Sequence, residues 1–199
     1  MKYFIFVGIF IFSYSFSFSQ DISQYHERKI AKAMGAWNEK SPREDWEIGS
    51  RFKSTVHFLS VQDNRKDYVW FRDDSAVTMF LYNGELPPIE KGQVAIIYYR
   101  KRTHGNIFEG PQFELEQIEL TNEYFIIGDK YMVKDNLRLR TRGTVNSNVV
   151  VTIPKYQNVI VLETGREEET IDTITSVWLK VNYNDTIGWC FGGYIYVGF

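Results

Sequence analysis

The chain has 199 residues, of which 44% are hydrophobic, 17% aromatic and 24% charged, and its formal net charge is −2 at pH 7. This composition predicts a folded chain of one or two domains, and the near-neutral charge excludes a strongly basic nucleic-acid binder. A single cysteine excludes a disulfide framework within one chain and a cysteine-based zinc cluster.

The N-terminus has the pattern of a signal peptide. Lys2 precedes an apolar run over residues 3–12, after which serines alternate with aromatic residues. This run is as long as the hydrophobic region of a signal peptide and shorter than the roughly 18 apolar residues of a transmembrane helix. Ser17 and Ser19 are small enough for a cleavage site before Gln20. We therefore expect a periplasmic or secreted protein that retains no stable membrane span after cleavage.

A helix followed by a loop is predicted after the cleavage site. Over residues 21–37, Ile30, Ala33, Met34 and Trp37 recur at spacings of three and four residues, which is typical of an amphipathic helix. A helix this short is marginal in isolation, so we expect its apolar side to pack on the following domain. Residues 38–45 contain a proline within a charged stretch and are predicted to form a loop.

Beyond Trp46 the hydrophobic pattern takes on the two-residue period of β-strands. Short runs of β-branched and aromatic residues alternate with turn-forming residues, and we predict five strands, over residues 54–61, 68–72, 77–82, 93–100 and 113–120. Residues 94–99 are apolar on both faces, which indicates a central strand. The order of elements over residues 46–120 resembles an OB-type barrel.

A second series of strand patterns begins near residue 129. Its main blocks are Leu137-Arg138-Leu139-Arg140, Val149-Val150-Val151, Val159-Ile160-Val161-Leu162, Trp178-Leu179-Lys180-Val181, Gly188-Trp189-Cys190 and Tyr194-Ile195. In order and at compatible spacing, they resemble the bacterial SH3 domain family over residues 129–199. The resemblance implies a compact SH3-type β-barrel. Residues 165–175, which include three consecutive glutamates, are predicted to form a lengthened, solvated loop.

The predicted fold is therefore mainly β, with an N-terminal helix and an OB-like small β-barrel followed by a C-terminal SH3-type β-barrel. We divide the chain into a signal peptide (1–19), a helix and loop (20–45), an OB-like β-barrel domain (46–122) and a bacterial SH3 domain (129–199).

The residues that most often act in catalysis form no recognisable motif. His26, His57 and His104 have neither metal-ligand spacing nor an acidic partner at a fixed offset, and nucleophile-elbow and phosphate-loop motifs are absent. Cys190 takes the Val position of the family's Gly-Trp-Val strand, which predicts a buried, inert thiol. We expect no enzymatic activity, no cofactor, no bound metal and no catalytic residue.

Strand alternation predicts where a ligand would bind. Leu179, Val181 and Cys190 are expected to point inward, so their neighbours along each strand point outward. Aromatic side chains on the outer face would form a surface for an extended peptide, flanked by arginines for acidic groups. We therefore assign the ligand-binding site to Trp178, Trp189, Tyr194, Arg138 and Arg140. The alternative is that these aromatics cap the core or pack on a neighbouring domain.

Two functions fit the sequence. The first is an exported, non-enzymatic binding protein that recognises a peptide, a protein or a peptidoglycan component of the cell envelope, and no nucleic acid. The second is an envelope hydrolase, or its accessory subunit, with a catalytic site hidden in residues 46–120.

Overall fold

The computed structural model describes residues 22–34, 46–103 and 110–196. The predicted signal peptide, the predicted loop over residues 38–45 and His104 lie outside these ranges. In the described part of the chain, strands predominate, as predicted, and they form two curled six-stranded sheets.

None of the helices within these ranges combines the length and the apolar character that crossing a membrane requires.

The segment before the first barrel corrects the predicted helix over residues 21–37. Where it is described, this segment contains a 3₁₀ turn at Ile22–Gln24, strand β1 at His26–Glu27 and a single helical turn, α1, at Ile30–Ala33. β1 pairs in parallel with the next strand, and Ile30 and Ala33 are fully buried in the first core. The apolar spacing therefore identified core residues, but tertiary pairing overrides the local helical preference.

Five further strands close into a barrel. They are β2 (Arg51–Gln62), β3 (Arg65–Arg72), β4 (Val77–Leu81), β5 (Val94–Lys101) and β6 (Phe113–Leu120). The pairing order is β2-β3-β4-β6-β5, and β5 pairs back to β2, so that the sheet closes. β5 lies between β2 and β6, which confirms its predicted central position. Only β4 and β6 run parallel among these pairs.

Aromatic side chains fill this barrel. The rings of Phe52, Phe71, Phe80, Tyr99 and Phe113 are fully buried, and their neighbouring centroids lie 5.0 to 6.1 Å apart. Most of these pairs meet edge to face, which is the arrangement that the ring quadrupoles favour. Part of the aromatic-rich composition therefore builds this core.

The second sheet contains the remaining strands. They are β7 (Lys130–Met132), β8 (Leu137–Arg140), β9 (Val149–Ile153), β10 (Asn158–Ile171), β11 (Ile174–Tyr183) and β12 (Thr186–Phe191). Their order is β7-β10-β11-β12-β8-β9, and a 3₁₀ turn at Gly192–Tyr194 follows β12. Leu179, Val181 and Cys190 are fully buried, which confirms the predicted inward set.

The predicted loop over residues 165–175 is wrong, because β10 and β11 extend into a long hairpin. Its turn lies at Asp172 and Thr173, both at positive φ (49° and 70°), as a two-residue type I′ turn requires. The register shifts between Thr164 and Glu168, which marks a bulge. We call residues 164–177 the hairpin arm.

The two hydrophobic cores meet at buried polar contacts. His57 Nδ1 donates to the carbonyl of Gly92, and its Nε2 accepts from the Tyr131 hydroxyl, each at 2.9 Å. The Tyr131 oxygen in turn accepts the Ile126 N–H at 2.6 Å. Lys29 Nζ lies 2.8 Å from the buried carboxylate of Asp129. We call these contacts the junction. The division into two independently folding domains stays a prediction.

Candidate functional site

Trp178 lies at the centre of the predicted ligand surface. β11 places it on the face opposite Leu179, yet only 6% of its surface is exposed. Its indole N–H donates to the Glu169 carboxylate, and its ring meets Phe191 edge to face at 5.8 Å. The hairpin arm therefore covers much of this side chain.

Two glycines bring the backbone against Trp178. A Cβ at Gly143 would lie 3.0 Å from Trp178 Cβ, and one at Gly165 would lie 2.8 Å from the Trp178 carbonyl oxygen. The second distance is too short for any side chain, because the opposing atom is backbone. Packing on both sides fixes the position of this tryptophan.

Trp189 is more accessible than Trp178. It is half-buried on β12, and its cross-strand neighbours are Lys180 on β11 and Arg140 on β8. Lys180 is engaged with Glu163, with its Nζ 3.6 Å from the carboxylate. Trp189 therefore supplies an open aromatic surface between two cationic neighbours.

The five predicted site residues line two grooves that share Trp178. Arg138, Arg140, Trp178 and Tyr194 line a groove of about 520 Å³, which we call the arginine groove. Arg138 is exposed, and Arg140 Nη1 donates to the Ser147 carbonyl at 2.6 Å. The arginine groove is also lined by two aspartates, Asp135 and Asp172, so its formal charge is balanced.

The second groove joins the two tryptophans. It has a volume of about 500 Å³, and we call it the tryptophan groove. Its lining consists of Gly143, Gly165, Arg166, Glu167, Glu168, Glu169, Trp178 and Trp189. One wall is therefore the hairpin arm, which the sequence predicted to be a solvated loop.

Tyr194 connects the hairpin arm to the arginine groove. Its hydroxyl donates to Asp172 at 2.7 Å, and this hydrogen bond raises the pKa of the hydroxyl. The arm thus contacts the polar groups of two predicted site residues, Trp178 and Tyr194. The sequence prediction missed these carboxylates, because the acidic run conceals the strand alternation on which it relied.

Residues 135–196 match the family model of the bacterial SH3 domain. The match confirms the resemblance inferred from the sequence, and its span contains every residue that lines the two grooves. No curated protein matches the chain. We call residues 135–196 the bacterial SH3 segment.

Cys190 lies in the core of the bacterial SH3 segment. Its side chain is fully buried, as predicted, and burial raises the pKa of the thiol to about 12. The thiolate is the nucleophilic form of cysteine, so this environment disfavours covalent chemistry at Cys190.

His26, His57 and a further groove lie outside the bacterial SH3 segment. His26 is exposed on β1, and His57 is buried in the junction. Sequence reasoning missed a groove of about 330 Å³ on the first barrel, which is lined in part by Tyr68, Trp70 and Met79. The Trp70 indole N–H donates to Gln62 at 2.9 Å, which fixes the ring orientation.

Proposed function

We propose that this protein is an exported, non-enzymatic binding protein whose bacterial SH3 segment recognises a peptide or a peptidoglycan component of the cell envelope. Bacterial SH3 domains commonly bind cell-wall components or peptides, which supports this assignment. The observation that carries the proposal is the pair of grooves that share Trp178 within the matched segment.

The two grooves have the size and the chemistry of a peptide site. Volumes of about 500 Å³ are within the usual range for ligand sites. Half-buried Trp189 and Tyr194 offer rigid rings with polar edges, and such rings bind extended peptides with little loss of side-chain entropy. Arg138, which is exposed, is available for an acidic group of the ligand.

The first barrel supplies a second surface in this proposal. Its strand order, β2-β3-β4-β6-β5 with closure on β2, supports the OB-like assignment of residues 46–122. The groove beside Trp70 gives this barrel an accessible aromatic lining. Export is supported by the signal-peptide pattern of residues 1–19.

Incubation with purified peptidoglycan sacculi tests the proposal. The chain without residues 1–19 is mixed with sacculi, and the sedimented protein and the released fragments are measured separately. We expect the protein to sediment with the sacculi, without release of fragments. Arg138→Ala is expected to weaken retention while leaving the fold intact. Absence of retention contradicts recognition of peptidoglycan, and release of fragments favours the alternative of an envelope hydrolase.

A further inference from the structure

The tryptophan groove carries an excess of negative charge. One arginine and three glutamates line it, which gives a formal charge of −2, whereas the arginine groove has two arginines and two aspartates. The sequence predicted arginines beside the aromatic surface to receive acidic groups. The excess charge beside the two tryptophans has the opposite sign.

The aromatic part of this groove also favours a cation. A ring face attracts ammonium and guanidinium groups through its quadrupole. Hydrogen bonding of the Trp178 N–H to Glu169 holds a carboxylate at the edge of one indole. The groove therefore combines two features that favour positive charge.

The wall of the groove leaves the second indole open. A Cβ at Gly143 would lie 3.3 Å from Trp189 Cε3, so the absence of a side chain at this position keeps space beside the ring. Gly165 forms the opposite wall, where backbone contact with Trp178 excludes any side chain. These glycines make the groove a formed site instead of an exposed acidic run.

The two cationic residues that pair with Trp189 across the sheet each have a partner of their own. Lys180 pairs with Glu163, and Arg140 donates to the Ser147 carbonyl. Within the described residues, the glutamates at positions 167–169 form no salt bridge, although Arg166 lines the same groove. Their charge is available to a ligand.

We infer that the tryptophan groove binds a cationic group of the ligand, a primary ammonium or a guanidinium, between the Trp189 ring and the carboxylates of the hairpin arm. This inference rests on the proposed function and specifies the chemistry of its ligand. A peptide with a basic side chain or a free amino group satisfies it. The neighbouring arginine groove, with its balanced charge, then receives the uncharged or acidic part of the same chain.

NMR titration of the ¹⁵N-labelled chain without residues 1–19 tests this inference. The probe is Nα-acetyl-lysine amide, and Nα-acetyl-norleucine amide is its uncharged analogue of nearly equal length. We expect the lysine probe to shift the indole N–H signals of Trp178 and Trp189 saturably. The norleucine probe is expected to bind at least about fivefold more weakly, which is the effect of one exposed charge contact.

Charge-removing variants locate the effect. Glu167→Gln combined with Glu169→Gln removes two charges from the groove, and glutamine at position 169 retains an acceptor for the Trp178 N–H. This variant is expected to bind the lysine probe about fivefold more weakly than the wild type. Glu47→Gln combined with Glu85→Gln makes the same charge change at exposed positions in the first barrel and its preceding segment, and serves as the control.

Equal binding of the two probes, or no saturable shift with lysine, would overturn the inference. An equal loss of lysine binding in the control variant would overturn it as well, because net charge would then explain the effect. Retention on sacculi without lysine binding leaves the proposed function standing and rejects only this inference. Lysine binding without retention on sacculi supports the inference and rejects the peptidoglycan assignment.

Discussion

Trp178 illustrates how one residue contributes to both packing and a candidate site. It lines both grooves, but its small exposed fraction and its contact with Phe191 make it part of the structure of the segment. We expect Trp178→Ala to reduce the free energy of unfolding by about 3–5 kcal/mol, the usual cost of removing a packed tryptophan. Denaturant unfolding followed by circular dichroism measures this change. A loss below about 1 kcal/mol would show that the residue is a surface platform.

Cys190 gives a second prediction at the residue scale. Because burial raises its thiol pKa to about 12, the native protein is expected to react slowly with thiol reagents. Unfolding in denaturant provides the control and should make labelling fast. Cys190→Val should cost less than about 1.5 kcal/mol, since the two side chains are similar in volume and polarity. Rapid labelling of the folded protein would restore Cys190 as a candidate nucleophile.

At the scale of elements, the hairpin arm is the feature that most changes the candidate site. Asp172 and Thr173 form its turn at positive φ, where a β-branched residue such as threonine is strained. Thr173→Gly is expected to stabilise the protein by up to about 1 kcal/mol, because glycine adopts this φ without strain and Asp172 keeps its hydrogen bond to Tyr194. Thermal unfolding measures the gain. A decrease in melting temperature would contradict the assigned turn. Asn184 and Asp185, which form the next hairpin turn at positive φ, stay unchanged in this variant.

The hairpin arm also shows how much of the fold and of the candidate site could be predicted from the sequence. Alternation of apolar and polar residues predicted β8, β11 and β12 and their inward residues, because one face of each strand is buried. The hairpin arm has no such alternation: its acidic residues lie beside solvent and a groove, so the pattern resembled a loop. The helix predicted over residues 21–37 failed for a related reason. The spacing of Ile30 and Ala33 fits one helical turn equally well, and pairing of β1 with β2 determines the rest.

At the scale of the whole molecule, the junction couples the two cores through His57. The pKa of His57 is lowered from its ordinary value of 6.5 to about 4, chiefly by desolvation. The charges of Arg72 and Lys29 contribute to this shift, whereas the hydrogen bond to Gly92 and the charge of Asp73 oppose it. The Tyr131 hydroxyl donates to Nε2, so a proton on Nε2 would also break this hydrogen bond. The junction therefore needs a neutral imidazole.

This requirement predicts a pH dependence of stability. Above pH 6.5 the imidazole is neutral in both the folded and the unfolded state, so it does not make the free energy of unfolding depend on pH. Between pH 6.5 and about 4 the unfolded state binds the proton more readily, and the folded state is expected to lose at most about 3 kcal/mol. His57→Gln should remove this part of the difference in the free energy of unfolding between pH 7 and pH 4.5. His26→Gln, a change at an exposed position, should leave that difference in place. An unchanged difference in the His57 variant would contradict the assigned neutral state.

The central claim is that the grooves of the bacterial SH3 segment, and not the first barrel, bind the main ligand. Retention on peptidoglycan sacculi, compared between Trp189→Ala and Trp70→Ala, tests it most directly, since each change removes a half-buried tryptophan that lines a groove. We predict that Trp189→Ala lowers the retained fraction at least about tenfold, as loss of a central aromatic contact does, and that Trp70→Ala has a much smaller effect. Equal retention of Trp189→Ala and the wild type, with both variants folded, would contradict the claim.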